Sequence, residues 1–149
     1  NPFYEDPDLG IAEAAPGYIS PAAARRAASL VDAKDAQQEL ATVSLGRCAT
    51  ATKDWITPDL PAEAEVDSAL ALIAGGGKLN VHGMARIAWD DGHVYVNGRH
   101  LTMSLAGSDF VAGICRRRQL NGPLPADPDA VILTTWMLRS GAFEIPGNL

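Results

Sequence analysis

The sequence predicts an α+β fold in which a helical segment precedes helices that pack on a small antiparallel sheet. Two observations carry this prediction. Asp91-Gly92 and Asn97-Gly98 are closely spaced two-residue hairpin turns, and helix start and stop signals bound the stretches on either side of them. The chain has 149 residues, of which 47% are hydrophobic and 20% are charged. That composition is typical of a globular chain with a buried core and excludes a disordered one.

Helix starts are clearest at Ser20-Pro21 and Asp127-Pro128, where a capping side chain precedes a proline in the first helical turn. Asp59 is a candidate cap for a third helix, in which apolar residues recur at i, i+4 and i+7. That apolar stripe consists of Val66, Leu70 and Ile73. The signals together predict helices over 21–31, 36–55, 61–74, 105–119 and 129–140, and a terminal strand over 143–145.

The two hairpin turns define a three-stranded meander, and their registers agree on which side chains share a face. The predicted apolar face holds Ile87, Trp89, Val94, Val96, Leu101 and Met103. The predicted polar, solvated face holds Arg86, Asp90, His93, Tyr95, His100 and Thr102. We expect Trp89 to be a central core residue beside the last helix. Tyr95 should matter less for stability, unless its face docks on the helical segment.

Two helices joined by a short loop beside a small antiparallel sheet are typical of a winged-helix-like module. Breaks at Thr57, Pro58 and Pro61 separate this module from the first helices. The sequence therefore predicts three parts: a connector at 1–19, a helical association segment at 20–56 and a winged-helix-like domain at 59–146. The association segment is alanine-rich and short of large aliphatic side chains, so we expect it to need a partner surface, as in a homodimer. A start at Asn1, without methionine, predicts a fragment or a processed product.

The net charge is −6, from 12 basic and 18 acidic residues, which counts against binding to duplex DNA. The one basic cluster, Arg116-Arg117-Arg118, lies at a predicted helix C-terminus, where the helix dipole favours cations. We interpret the cluster first as a helix cap that also aids solubility. Binding of an acidic partner is the second interpretation, and DNA recognition is the last. Helix 129–140 is largely apolar, with Arg139 as its one cation. The longest uncharged apolar run, 69–77, is too short to span a bilayer, so we expect no membrane partner and no specific nucleic acid.

The three histidines are His82, His93 and His100. A cupin-type iron site needs an His-x-Asp/Glu pair and a distant histidine, and no such pair occurs in the chain. His93 and His100 are diagonal neighbours on the predicted polar face, with Asp90 opposite His93. An adventitious metal patch is therefore the alternative to a solvated strand face.

Gly75-Gly76-Gly77-Lys78 follows a helix and precedes a strand, which is the reverse of a phosphate-binding P-loop. We interpret these glycines as the end of the helix. Cys48 and Cys115 are too far apart in sequence for a redox pair or a zinc module, and both are candidates for small core residues. Two lone cysteines predict a reduced, cytoplasmic chain. We assign no catalytic, cofactor-binding or metal-binding residue.

Five short stretches then occur in a familiar order. The acidic connector Tyr4-Glu5-Asp6-Pro7-Asp8-Leu9 precedes the helices, and the helical segment ends in Trp55-Ile56-Thr57-Pro58. The strand Ala85-Arg86-Ile87-Ala88-Trp89 leads to Val94-Tyr95-Val96-Asn97-Gly98, and a final helix precedes Arg139-Ser140-Gly141-Ala142-Phe143. These motifs, spread from about Tyr4 to Ile145, resemble the C-terminal part of the JmjC/cupin ribosomal oxygenases, which include the bacterial ribosomal-protein arginine hydroxylases.

The resemblance implies that a catalytic double-stranded β-helix domain comes first, followed by a helical dimerisation domain and a winged-helix domain. It implies a parent enzyme that hydroxylates a protein side chain with Fe(II) and 2-oxoglutarate, both held by the catalytic domain. No metal ligand of that family carries over to this chain. The implied role is dimerisation and substrate presentation, with a second copy and a ribosomal protein as partners. Two alternatives stay open: a stand-alone winged-helix adaptor or transcription-associated interaction module, and a small enzyme that uses His93, His100 and Asp90.

Overall fold

The computed structural model describes residues 15–30, 38–53 and 59–147, and these residues form an α+β fold, as predicted. The helices are α1 (Pro21–Leu30), α2 (Gln38–Thr50), α3 (Glu63–Ala74), α4 (Leu105–Arg117) and α5 (Pro128–Arg139). The strands are β1 (Lys78–Asn80), β2 (Ile87–Trp89), β3 (His93–Val96), β4 (Arg99–Thr102) and β5 (Gln119–Asn121). Within this described part of the chain, every helix is too short or too polar to cross a bilayer.

Helices α1 and α5 begin with the capping chemistry that the sequence predicts. The Ser20 hydroxyl accepts a hydrogen bond from the Ala23 N–H at 3.1 Å, and Pro21 is the first helical residue. At α5 the Asp127 carboxylate accepts the Asp129 N–H at 2.9 Å, again with a proline in the first turn. Each cap satisfies a backbone donor that the helix itself leaves unpaired.

The predicted cap of α3 is wrong. This helix begins after Ala62 and not after Asp59. The Ala62 N–H donates to the Glu65 carboxylate at 3.3 Å. In a capping box, a glutamate at the third helical position accepts the backbone N–H of the cap residue. Only this half of the box is present here, and it does not depend on the side chain at the cap position.

Three further predicted boundaries are wrong. Helix α2 ends at Thr50 and not at position 55, and 54–58 lie outside the described residues. Helix α4 ends at Arg117, because Arg118 adopts a left-handed conformation with φ of 54° and the chain then enters β5, a strand the sequence did not reveal. The expected terminal strand over 143–145 is reduced to a single bridge between Phe143 and Val81.

The strands form two antiparallel sheets. Strand β1 pairs with β5, and the meander has the order β2-β3-β4. Both predicted hairpin registers are confirmed, with Trp89 opposite Val94 and Tyr95 opposite His100. The alternation of side chains between the two faces follows from these registers.

The two hairpin turns differ in conformation. Asn97 and Gly98 both have positive φ, at 49° and 84°, as a type I′ turn requires. Asp91-Gly92 lacks positive φ at either position. Its turn is closed instead by the Asp90 carboxylate, which accepts the Gly92 N–H at 2.8 Å in an Asx-turn.

The apolar face of the meander forms one side of the hydrophobic core. Helix α4 packs against β2 and β3, and α5 packs on α3 and α4. The last helix therefore packs chiefly on the helices α3 and α4, and not on the sheet as we expected. Trp89 and Met137 nevertheless lie in the same buried cluster, whereas Trp136 is only partly buried. The core position of Trp89 is confirmed.

The second face of the meander is only partly solvated. The predicted exposure is confirmed for Arg86, His100 and Thr102, and it is wrong for Asp90 and Tyr95, which are buried. Helix α2 packs across β2, β3 and β4, and α1 packs on α2. The Tyr95 side chain is completely buried beneath α2. This is the docking on the helical segment that the sequence left open. The predicted boundary at 57–58 lies outside the described residues.

Candidate functional site

The contact between α2 and the second face of the meander holds most of the polar chemistry of the fold. Tyr95 on β3 turns its ring towards Gly46, and a Cβ added at Gly46 would overlap that ring. A glycine inside a helix costs roughly 1 kcal/mol relative to alanine. The close approach of the tyrosine ring explains why it is tolerated. A helix-interior glycine was the one sequence signal of this contact, and our sequence analysis did not use it.

Asp90, at the end of β2, is the centre of a buried hydrogen-bond network. Its carboxylate accepts the Tyr95 hydroxyl at 2.6 Å, the Gly92 N–H at 2.8 Å and His93 Nδ1 at 3.0 Å. The backbone carbonyl of Asp90 accepts the Ser108 hydroxyl at 3.2 Å, which connects the network to α4. A buried carboxylate needs such donors, because burial without them costs several kcal/mol.

The Tyr95 hydroxyl acts as a fixed neutral donor in this network. Burial raises the pKa of Tyr95 far above its ordinary value, and the hydrogen bond and the negative charge of Asp90 raise it further. Both carboxylates near the ring, Asp90 and Glu39, oppose the formation of a tyrosinate. The hydroxyl therefore stays protonated at neutral pH and serves as a hydrogen-bond donor.

His93 links the network to α2. Because a carboxylate only accepts, the contact with Asp90 makes Nδ1 the protonated nitrogen and leaves Nε2 facing Glu39, 3.8 Å from its carboxylate. The ring also lies close to Tyr95 and His100, with centroid distances of 6.1 and 6.3 Å. A carboxylate that orients an imidazole is the arrangement of a general base.

The C-terminal end of α2 is fastened to the Asn97-Gly98 turn at the other end of β3. The Thr50 hydroxyl accepts the Gly98 N–H at 3.1 Å and donates to the Gly46 carbonyl at 2.9 Å. Arg47 Nε donates to the Gly98 carbonyl at 3.0 Å. Helix α2 is thus held by polar contacts at both ends of the strand that it covers.

A groove of about 750 Å³ runs between α2 and the outer strand β4. It is lined by Glu39, Leu40, Val43, Ser44, Arg47, Cys48, Ala51, His93, Gly98, His100 and Thr102. Ser44, Cys48 and Thr102 are its possible nucleophiles. None of the three hydrogen-bonds to His93 within the described part of the chain, so the imidazole lacks the partner that nucleophilic catalysis requires.

The three residues of the predicted metal patch, Asp90, His93 and His100, do lie on one face. Within 15–30, 38–53 and 59–147, however, no group of three or more histidine, cysteine, aspartate or glutamate side chains is placed to hold a metal ion. One reason is that Asp90 already faces three donors of its own protein. His82 lies apart from this face, and its Nδ1 accepts the Met84 N–H at 3.0 Å.

No family model matches the sequence, and no curated protein or solved structure is significantly similar to it. The chemistry of the site therefore follows from its own side chains. Asp90 already accepts three hydrogen bonds, Tyr95 is neutral and the described nucleophiles make no hydrogen bond to His93. These features favour a structural network beneath α2 over a reaction centre.

The two cysteines have different environments. Cys115 is buried in α4, and this burial raises the pKa of its thiol to about 11, against a smaller lowering by Arg118. Its predicted role as a small core residue is confirmed. Cys48 is exposed in the groove beside α2, so the suggestion that it lies in the core is wrong.

The basic cluster ends α4, as predicted. Arg116, Arg117 and Arg118 are all exposed, and Arg118 provides the left-handed residue that terminates the helix. Arg139, at the end of α5, donates through Nε and Nη2 to both carboxylate oxygens of Glu63, each at 3.0 Å. The one cation of α5 is therefore engaged by a carboxylate of α3.

Proposed function

We propose that this chain is the non-catalytic C-terminal dimerisation and winged-helix-like region of a cytoplasmic Fe(II)/2-oxoglutarate-dependent hydroxylase of ribosomal proteins. Fe(II) and 2-oxoglutarate would bind in a catalytic domain of the parent protein. The winged-helix-like assignment is supported by α4 and α5, which pack on each other beside small antiparallel sheets. The family assignment itself is supported by the sequence motifs alone.

The observation that carries the proposal is the outer surface of α5. In a winged helix, the second helix of the pair is the one that enters the DNA groove. Here its outward side chains include Val131 and Ile132, which are 49% and 58% exposed. Its one cation, Arg139, is paired with Glu63. An apolar surface without a free cation is suited to a protein partner and not to phosphates.

Charge and exposed apolar surface support the two proposed partners. A net charge of −6 favours a basic partner such as a ribosomal protein. The exposed Leu40 on α2 supports self-association through the helical segment. An acidic chain that also binds its own copy is suited to presenting a basic substrate to a dimeric enzyme.

Two measurements on the 149-residue chain test this proposal. Light scattering after size exclusion should give a dimer at about 100 µM, and fluorescence anisotropy should give binding to basic ribosomal proteins. Val131→Glu should weaken that binding, whereas Leu72→Glu, on the exposed side of α3, should not. Duplex DNA should bind weakly and without sequence preference, and be released by about 150 mM salt.

Three outcomes would count against the proposal. A strict monomer at about 100 µM would remove the dimerisation role. Selective, sub-micromolar DNA binding at about 150 mM salt would favour the alternative, a stand-alone transcription-associated winged helix. Stoichiometric formation of succinate from 2-oxoglutarate by this chain would contradict its non-catalytic role and direct attention to His93 and His100.

A further inference from the structure

The two edges of the meander are treated differently by the fold. The edge of β2 is covered by the segment before α1: the Trp89 N–H donates to the Gly17 carbonyl at 2.8 Å, and the Ile19 N–H donates to the Trp89 carbonyl at 2.7 Å. At the opposite edge, β4 pairs with β3 on its inner side, and no strand of the described residues pairs with its outer side. An uncovered edge is a template for pairing with another chain.

The register determines which backbone N–H and C=O groups of β4 point towards the free edge. Val96 and Arg99 flank the two-residue turn, so they form a hydrogen-bonded pair. Alternation along the strand then directs the N–H and C=O of Leu101 inward to β3. The N–H and C=O of His100 and Thr102 point outward, away from the sheet.

The free edge is flanked on both sides by apolar side chains. Leu105, Leu40 and Ile132 have the largest exposed fractions of all large hydrophobic residues in the described chain, at 70%, 67% and 58%. Leu40 lines the α2 groove together with His100 and Thr102. Ile132 lines a groove of about 280 Å³ on the other side of β4, and Leu105 follows this strand by three residues. Apolar exposure of this kind, gathered around an open strand edge, is typical of an interface.

We propose that this edge is the homodimer interface, in which β4 of two copies pairs antiparallel around a two-fold axis at Leu101 and joins the two meanders into one six-stranded sheet. The inference rests on the proposed dimerisation and specifies its geometry. Leu101 lies opposite Leu101 of the partner copy. His100 lies opposite Thr102 of the partner copy, and Arg99 opposite Met103 of the partner copy.

The sequence of β4 is compatible with self-pairing around this axis. The two-fold register aligns the outward groups of His100 and Thr102 with those of the second copy, which gives four backbone hydrogen bonds. No position places like charges opposite each other, since Arg99 faces a methionine. The flanking Leu40 and Ile132 of each copy lie where side chains of the added strand would cover them.

Disulfide trapping tests the register, in a Cys48→Ser background that removes the exposed native thiol. Leu101→Cys should form a covalent dimer under mild oxidation, because directly opposed residues of a non-hydrogen-bonded pair have Cα atoms about 4.5 Å apart. The matched variant Arg99→Cys should not form one. The two-fold axis at Leu101 places the two introduced cysteines four residues apart along the paired strands, or about 14 Å. Equal trapping at both positions would overturn the register.

Light scattering on two variants tests the edge and its apolar flank. Thr102→Pro removes an N–H that the fold itself does not use, so the far-ultraviolet circular dichroism should be retained while the dimer dissociation constant rises at least tenfold. Leu105→Glu should have a similar effect, and Met84→Glu, exposed before β2 at the covered edge, should have none.

The outcomes separate the interface from the dimerisation on which it rests. A monomeric wild-type chain overturns both. A dimer that persists in Thr102→Pro, or one that Leu101→Cys fails to trap, overturns the edge interface and leaves dimerisation through the helical segment alone. A monomer in which Thr102→Pro abolishes binding of a basic ribosomal protein would show that the edge takes a strand of that protein instead.

Discussion

Replacing Tyr95 with phenylalanine is the sharpest test of the buried hydrogen-bond network beneath α2. The ring and its packing against Gly46 remain, and only the hydroxyl that donates to Asp90 at 2.6 Å is lost. Hydrogen bonds to charged groups contribute about 1.5–3 kcal/mol, and a buried carboxylate that loses a donor is at the costly end of that range. We therefore expect Tyr95→Phe to lower the free energy of unfolding by about 2 kcal/mol.

Thermal and urea unfolding, followed by circular dichroism, measure this loss. For a chain of this length, about 2 kcal/mol corresponds to a fall in Tm of roughly 4–8 °C. Tyr18→Phe is the matched control, because the Tyr18 hydroxyl lies 3.4–3.5 Å from the exposed Asp91 carboxylate, beyond good hydrogen-bond length. That variant should change stability by less than about 0.5 kcal/mol.

A double-mutant cycle separates the hydrogen bond from other effects of the substitution. In an Asp90→Asn background the strong acceptor is gone, so Tyr95→Phe should cost clearly less than it does in the wild-type chain. If Tyr95→Phe costs no more than Tyr18→Phe, or costs the same in both backgrounds, the Tyr95–Asp90 hydrogen bond does not stabilise the fold.

Three further outcomes are expected. Trp89→Ala should lower the free energy of unfolding by about 3–5 kcal/mol, because burial is lost and a cavity forms. Tyr95→Ala should be at least as destabilising as Tyr95→Phe, because the Tyr95 side chain is completely buried. Urea unfolding measures both variants. Gly46→Ala should destabilise the chain although alanine is the better helix former, because its Cβ overlaps the Tyr95 ring; a raised Tm would refute that contact. At pH 8 a thiol reagent such as Ellman's should modify the exposed Cys48 well before Cys115, whose pKa is raised to about 11 by burial; equal rates would show that α4 opens readily.

The meander was predictable because its information is local. Two turns of two residues each fix the register, and a period of two then assigns every side chain to a face. The same holds for the caps of α1 and α5, where one side-chain oxygen satisfies one nearby N–H. Such signals do not depend on what the rest of the chain does.

The cover over the second face was not predictable in the same way. Asp90, His93 and Tyr95 look like the solvated face of a strand, since polar side chains are mostly exposed. Their environment depends on α2, which is distant in sequence and only weakly amphipathic. The pairing of β1 with β5 was missed for a related reason: each strand has three residues, too few to show an alternation, and about forty residues separate the partners.

The polar attachment of α2 also bears on how the chain is divided. Asp90 connects to His93 and Tyr95 at one end of β3, and Thr50 and Arg47 hold the turn at the other end. Removing α1 and α2 would expose the Tyr95 ring and leave the Gly98 backbone without these two partners. The helical segment is therefore a structural part of the sheet that it covers, even though a proline-rich break follows it in the sequence. An interface built on Leu40 and β4 would use both parts at once, which links self-association to the folding of the whole chain.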